Sequence, residues 1–284
     1  MSRTSTCLKH LGWAAALAAC AAFAADAHKE FRYTVGSGAT LNVVNESGSV
    51  TIRPSGSRQV LISTTAHSDK VEIDSSQTGN RIEAETRLLG KAAGDEARVD
   101  YDIQVPADVM LSVRADGGPI RVEKVRSDMT LEGSAAAITV QDCNNSHVHI
   151  HAIKGPVTVS NVSNGHVEIT SVKGDVQLNS VTGPKVSINT TKGAIRYAGN
   201  FSGGGDYFLS SHSGDIDVVL PTTASVDLTA RSVSGSVEQD FPLQQKSRLG
   251  FQPTPGRSFA GTSNTGASSV QLRSFSGKIR VKKQ

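Results

Sequence analysis

Cysteine, tryptophan and large aromatic residues are scarce in this 284-residue chain. It has 3 cysteines and 1 tryptophan, and aromatic residues make up only 5% of it. Cys7, Cys20 and Trp13 all fall within the first 27 residues, which leaves Cys143 alone in the body. One cysteine forms no internal disulfide, so the fold must hold by packing and hydrogen bonding. Without tryptophan, a sugar-stacking aromatic platform lacks its usual material. The longest apolar run, residues 11–22, is too short to cross a bilayer, so no transmembrane span is expected. An excess of one charge is missing too. The net charge is +3, and setting residues 1–27 aside leaves 27 basic and 25 acidic residues. Nucleic acid is therefore not the expected partner.

Catalytic constellations are also wanting. There is no Gly-x-Ser-x-Gly and no His-Glu-x-x-His. Asp175, Asp215 and Asp217 are dispersed along the chain instead of forming the carboxylate pair that sugar cleavage requires. No catalytic residue is assigned, the chain is not expected to be an enzyme, and no cofactor is called for.

What the sequence does contain is Val, Ile, Thr, Ser, Asn and 27 glycines, a mixture that favours strands and tight turns over helices. The N-terminus reads as an address. Arg3, Lys9 and His10 precede the apolar run, and small-x-small cleavage sites follow at Ala22-Phe23-Ala24 and Ala25-Asp26-Ala27. This is the pattern of a secretory signal peptide over residues 1–27. Leu17-Ala18-Ala19-Cys20 also matches a lipobox, so a lipid anchor at Cys20 stands as the alternative to cleavage. Either way the expected location is outside the cytoplasm: periplasm, outer-membrane-associated or cell surface.

The dominant signal is an internal repeat between about residues 118 and 240. A Gly or Asn turn is followed by an apolar-polar-apolar triplet, as in Gly155-Pro156-Val157-Thr158-Val159 and Gly174-Asp175-Val176-Gln177-Leu178. Units recur every 9 or 10 residues, but the full period is 19. Ile138, Val157, Val176 and Ile195 make one column, and Met129, Val148, Val167 and Val186 make another. Two corner types alternate: Lys154-Gly155, Lys173-Gly174 and Lys192-Gly193 at one, and Asn145, Asn164 and Gly183 at the other. The second set consists of residue types that tolerate a left-handed backbone. Apolar residues at i and i+2 share one face of a strand. A 19-residue spacing sets each such pair on its equivalent in the next coil, about 4.8 Å away. The expected fold is all-β, a parallel β-solenoid with two main strands per coil and an aliphatic core. An antiparallel meander is the competing arrangement, but it does not explain why the corners alternate.

Four regions follow. Residues 1–27 are the signal peptide, and residues 28–113 form a less regular N-terminal β region, either a sandwich-like cap or opening coils. Residues 114–240 carry the solenoid repeats. Residues 241–284 hold a long connection (241–266) and capping strands that close on Val270-Gln271-Leu272 and Gly277-Lys278-Ile279-Arg280-Val281. Columns continue across two-residue slips, with Gly193 matching Gly214 and Gly214 matching Gly235. The final Lys282-Lys283 is read as a charged guard against edge pairing.

These repeats, with Leu41-Asn42-Val43, Gly48-Ser49-Val50-Thr51-Ile52 and Tyr101-Asp102-Ile103-Gln104-Val105-Pro106, resemble a bacterial exported β-strand-repeat family labelled "putative adhesin", a domain of unknown function. The similarity covers most of residues 30–281. It implies a repeat fold and an adhesive or structural role at the cell envelope, and it supplies no catalytic residues.

Two outward arrays are candidate binding sites. Lys154, Lys173 and Lys192 should stack into a basic ridge able to grip an anionic polysaccharide or lipid headgroups. His147, His149 and His151 alternate on one strand, with His166 and Glu168 beside the first two on the next coil. That arrangement could gather ligands for Zn²⁺ or Cu²⁺. Cys143 shares a column with Val162 and Val181 and should face inward. The expected partners are envelope components, polysaccharide or another protein.

Overall fold

The computed structural model describes residues 27–201, 204–245 and 254–284. Among these residues are 25 strands and a single 3-10 turn, Gly94–Ala97. The strands form two open sheets of 12 and 13 strands. Through the middle of the chain, each coil gives one strand to each sheet. Val148–Ala152 lies in one, Val157–Val162 in the other, and His166–Ser171 returns to the first.

The 19-residue register is real. Val157 is paired with Ile138 and Val176, and Val176 with Ile195, all in parallel ladders. In the facing sheet Val148 is paired with Met129 and Val167 in the same sense. The middle of the chain is thus a parallel β-solenoid and not a meander. Antiparallel pairing is confined to the ends, as between Ala27–Thr34 and Gln59–Ala66, or between Val226–Ser232 and Ser258–Ser263.

Strict alternation builds the interior. Val148, Ile150 and Ala152 are buried while His149 and His151 are exposed, His166–Ser171 repeats the pattern, and Val157, Val159 and Val162 are buried in the strand between them. One continuous core runs from Val35 to Val281. Each fully buried Val, Leu or Ile contributes roughly 1.5–3 kcal/mol relative to exposure. A lone coil has no partner for that face, so stability resides in the stack. Where the period lengthens from 19 to 21 residues, between Ile195 and Ile216, aromatic bulk fills the wider coil. Tyr197 and Phe201 stack with ring centroids 4.1 Å apart, and Tyr207 meets Phe201 edge-on at 4.6 Å. The Tyr197 hydroxyl donates to the Val181 carbonyl, which satisfies its buried polar end.

The corners are tighter than the sequence suggests. Asn145 and Asn164 do adopt left-handed backbone, at φ 55° and 57°. Gly183 does not. A Cβ on Gly183 would sit 2.1 Å from the Gly165 carbonyl oxygen, so close stacking, not φ, requires glycine there. The Lys-Gly corner obeys the same constraint, since Cβ atoms on Gly174 and Gly193 would lie 1.8 Å and 2.0 Å from the carbonyl oxygens of Gly155 and Gly174. Beneath this glycine column runs a buried column of small hydroxyls. Ser171 and Thr190 donate to the Gly174 and Gly193 carbonyls, both at 2.8 Å, while Ser211 accepts from Gly214 N–H.

Both ends depart from simple succession. The strands Thr40–Asn45 and Val50–Pro54 sit between the coil of residues 81–105 and the coil of residues 110–123, so the N-terminal region continues both sheets. At the other end Ser268–Ser274 and Ile279–Lys283 insert between the coil of residues 206–220 and the coil of residues 226–239. Three sequence readings are corrected by this. Gly214 is followed in the stack by Gly277, and only then by Gly235. Lys282 and Lys283 belong to an internal strand and guard no edge. The connection read over residues 241–266 contains a strand, Ser258–Ser263, whose Gly and Ser content hid it.

Carboxylates pin the inserted coils. Asp100 accepts from the Ser49 N–H and hydroxyl, both at 2.7 Å, and pairs with His67 at 2.9 Å and Arg98 at 2.8 Å. Partial burial pushes this carboxyl up, but the bonds from Ser49, His67 and Arg98 outweigh it and hold it well below the usual range. At the C-terminal end Arg280 bonds both Asp217 and Asp215, and Asp215 also accepts the Lys278 N–H at 2.8 Å.

Arg280 holds the Asp217 carboxyl below its ordinary value. A carboxylate depressed in the folded state contributes stability above its unfolded pKa, about 3.9, and loses it as pH falls through the folded value. The urea midpoint should therefore fall below about pH 4. Arg280→Met should lower the midpoint at neutral pH and flatten that acid decline; parallel acid limbs for the two proteins would refute the pairing.

Candidate functional site

The outer surface is built from columns, because residues 19 apart are vertical neighbours. At the Lys-Gly corner the ladder carries on around the bend. Lys173 N–H donates to the Ile153 carbonyl and Lys192 N–H to the Val172 carbonyl, each at 2.9 Å. Ser213, Ser276 and Ser234 continue the series through Thr191, His212 and Phe275. The structure thus brings Lys154, Lys173 and Lys192 together as consecutive exposed residues of one ridge. Among the described residues, none of the three forms an ion pair. Nearby carboxylates are already engaged: Asp175 with Arg196 at 3.2 Å and Asp215 with Arg280 at 3.0 Å.

A second column runs beside the lysines. It consists of Ile153, Val172, Thr191, His212, Phe275 and Val233, of which Ile153 is 48% exposed, Val172 40%, Phe275 50% and Val233 51%. His212 and Phe275 stack face to face with centroids 4.9 Å apart. This column was not singled out from the sequence. Its signal is there nonetheless, in the residue preceding each Lys-Gly or Ser-Gly pair: Ile-Lys-Gly, Val-Lys-Gly, Thr-Lys-Gly, His-Ser-Gly, Phe-Ser-Gly, Val-Ser-Gly.

The histidines lie where the register puts them, but in twos. His147 and His166 stack as parallel rings, with centroids 4.6 Å apart and planes 4° apart. His149 Nδ1 is 3.6 Å from Glu168, and His147 Nδ1 is 3.5 Å from Asp128. His151 is paired across the ladder with Thr170. Among the described residues, no group of three or more His, Cys, Asp or Glu side chains converges in a way that could hold a metal ion. A face-to-face imidazole pair directs its nitrogens along parallel planes instead of toward one point.

Cys143 is fully buried, and burial pushes its thiol up from the ordinary value. In residues 27–284 it should not react with Ellman's reagent in the folded protein and should react with one equivalent in urea; rapid reaction without denaturant would show the column to be open. One surface concavity, about 440 Å³, is lined by Thr229, Arg231, Val233, Gln271 and Arg273 on the sheet face. It holds no carboxylate.

Stacked parallel coils with a filled aliphatic interior and patterned outer columns define a two-sheet β-solenoid repeat protein. No described helix is long and apolar enough to cross a membrane. The family model described as Toastrack DUF4097 matches residues 39–282, and the chain belongs to that family. The resemblance drawn from the repeats thus led to a domain family of unknown function with the fold expected. No curated protein matches the chain significantly. A solved structure of a putative cell adhesion protein from Clostridium sporogenes is 13% identical; the match covers 91% of this chain and 100% of that one, at a TM-score of 0.25.

Proposed function

We propose that the chain is an exported, non-catalytic β-solenoid that serves at the cell envelope as a scaffold or adhesin-like interaction protein. The observation that carries this reading is the interior. Both sheets turn aliphatic side chains inward along the whole stack, so what the fold offers a partner is extended, patterned surface. The leader pattern in residues 1–27 supports export, although residues 1–26 and Cys20 with them lie outside the described residues. Cell fractionation with the mass of the N-terminus tests location. The expected product starts after Ala24 or Ala27, or at a lipidated Cys20; an intact Met1 in the cytoplasm overturns export. Pull-down from envelope extracts tests the interaction role, and turnover in a polysaccharide screen would overturn the non-catalytic reading.

A second reading concerns the ridge, and the absence of ion pairs on its three lysines favours it. Such a ridge binds an anionic envelope component by point charges. Salt-sensitive retention on an anionic matrix that disappears in the triple variant K154S/K173S/K192S is the expected result; equal retention of both proteins would end it.

A further inference from the structure

We infer that the Lys-Gly corner is a lipid-facing edge that rests on an anionic bilayer surface. The inference rests on the reading of the ridge as anion-binding and names the partner. Lysines alone would suit any polyanion. The neighbouring column narrows the choice, because Ile153 and Val172 expose apolar side chains beside Lys154 and Lys173, and Phe275 and Val233 extend the exposed apolar series along the same edge. A soluble anionic glycan gains little from the aliphatic side chains of Ile153, Val172 and Val233, and a protein pocket would have to be as long as the ridge. A bilayer interface accepts both: apolar tips enter the headgroup boundary while cations pair with phosphates.

The geometry fits a planar surface. Six stacked residues from Ile153 to Val233 span roughly 24 Å at the strand spacing, and the backbone hydrogen bonds of the corner fix them in line. Lysine stems reach past the apolar tips and keep their ammonium groups in water or at phosphates. The column on the sheet-facing side of this edge runs Glu132, His151, Thr170, Asn189, Ser210, Arg273 and Arg231, as the ladder pairs show. From His151 onward it contains no acid, and its two arginines form no ion pair among the described residues. In that column an acid returns only at Glu132, and on the other flank of the corner the carboxylates Asp175 and Asp215 are held by Arg196 and Arg280.

The test is vesicle co-sedimentation of residues 27–284. This stretch holds every described strand and the whole core, and it omits the apolar N-terminal segment, which would bind lipid by itself. Binding is expected to mixed phosphatidylglycerol–phosphatidylcholine vesicles and not to phosphatidylcholine alone. The variants K154S/K173S/K192S and I153S/V172S/F275S, all at exposed positions, should each weaken partitioning about tenfold or more. Unchanged circular dichroism and melting would show both folds intact. Failure to sediment, or equal binding by the apolar variant, overturns the lipid assignment. If polygalacturonate then retains the protein through the same lysines, the ridge is anion-binding but not lipid-facing. If neither polyanion binds, both readings fall.

Discussion

Gly174→Ala should cost the protein more than about 4 kcal/mol, a loss at the extreme of single-residue effects. A methyl group there would lie 1.8 Å from the Gly155 carbonyl oxygen and 2.6 Å from its carbon. Both obstacles are backbone of the neighbouring coil, so no side chain can swing aside. Relief requires separating two coils at the corner, and that breaks the bond from Lys173 N–H to the Ile153 carbonyl. Gly56→Ala is the matched control, since nothing lies within 4 Å of its would-be Cβ and its φ is negative; it should change stability by no more than about 0.5 kcal/mol. Urea midpoints read both. Gly174→Ala costing less than about 1 kcal/mol would mean the corners are not stacked as described. Gly155→Ala should cost a similar amount, because its Cβ would lie 1.7 Å from the Ala136 carbonyl oxygen, a separate clash at the adjacent interface of the stack.

The middle of this fold was legible because translation is easy to read. Once Val157 lies on Val176, the same step places Val159 on Leu178 and Lys154 near Lys173. The ends were not legible for a physical reason: an apolar-polar-apolar strand such as Val270-Gln271-Leu272 packs equally well on any coil, so the hydrophobic pattern carries register but no order. Charge does carry order. In the observed stack the outward column reads Arg196, Asp217, Arg280, Glu238, alternating in sign. Placing residue 235 directly after residue 214 would set Asp217 against Glu238, two carboxylates at adjacent ladder positions, which is destabilising. The alternation was available in the sequence and would have favoured the inserted strand. The Lys ridge and the His columns likewise follow from the step alone. Whether neighbouring His rings converge or stack depends on rotamers, which spacing does not specify. The exposed Ile153–Val172 column escaped notice because a single apolar residue at a turn is unremarkable until its five stacked counterparts are aligned with it.

Excising residues 155–173 should leave a folded, soluble protein, whereas excising residues 155–164 should not. The longer deletion removes one whole coil and joins Lys154 to Gly174, so the corner again reads Lys-Gly and Val176 meets Ile138 where Val157 had been. Every remaining strand keeps its face and its sheet, and the strands on either side of the excised coil pair in parallel with one another. The loss is one coil's share of stability, about 1–3 kcal/mol for 19 residues at ordinary stability per residue, with cooperative unfolding retained. The shorter deletion removes half a coil. It joins Lys154 to Gly165, makes His166–Ser171 follow the Lys-Gly corner into the wrong sheet, and leaves both ladders with a missing partner. The apolar triplets would survive, but their corners would not: Gly165 stacks on the Ser146 carbonyl, not on Ala136. Expression in the soluble fraction, strand content by circular dichroism and a sigmoidal urea transition distinguish the two deletion variants. Equal solubility and equal cooperativity would mean that the protein counts strands and not coils, which would remove the basis for every column described above, the ridge included.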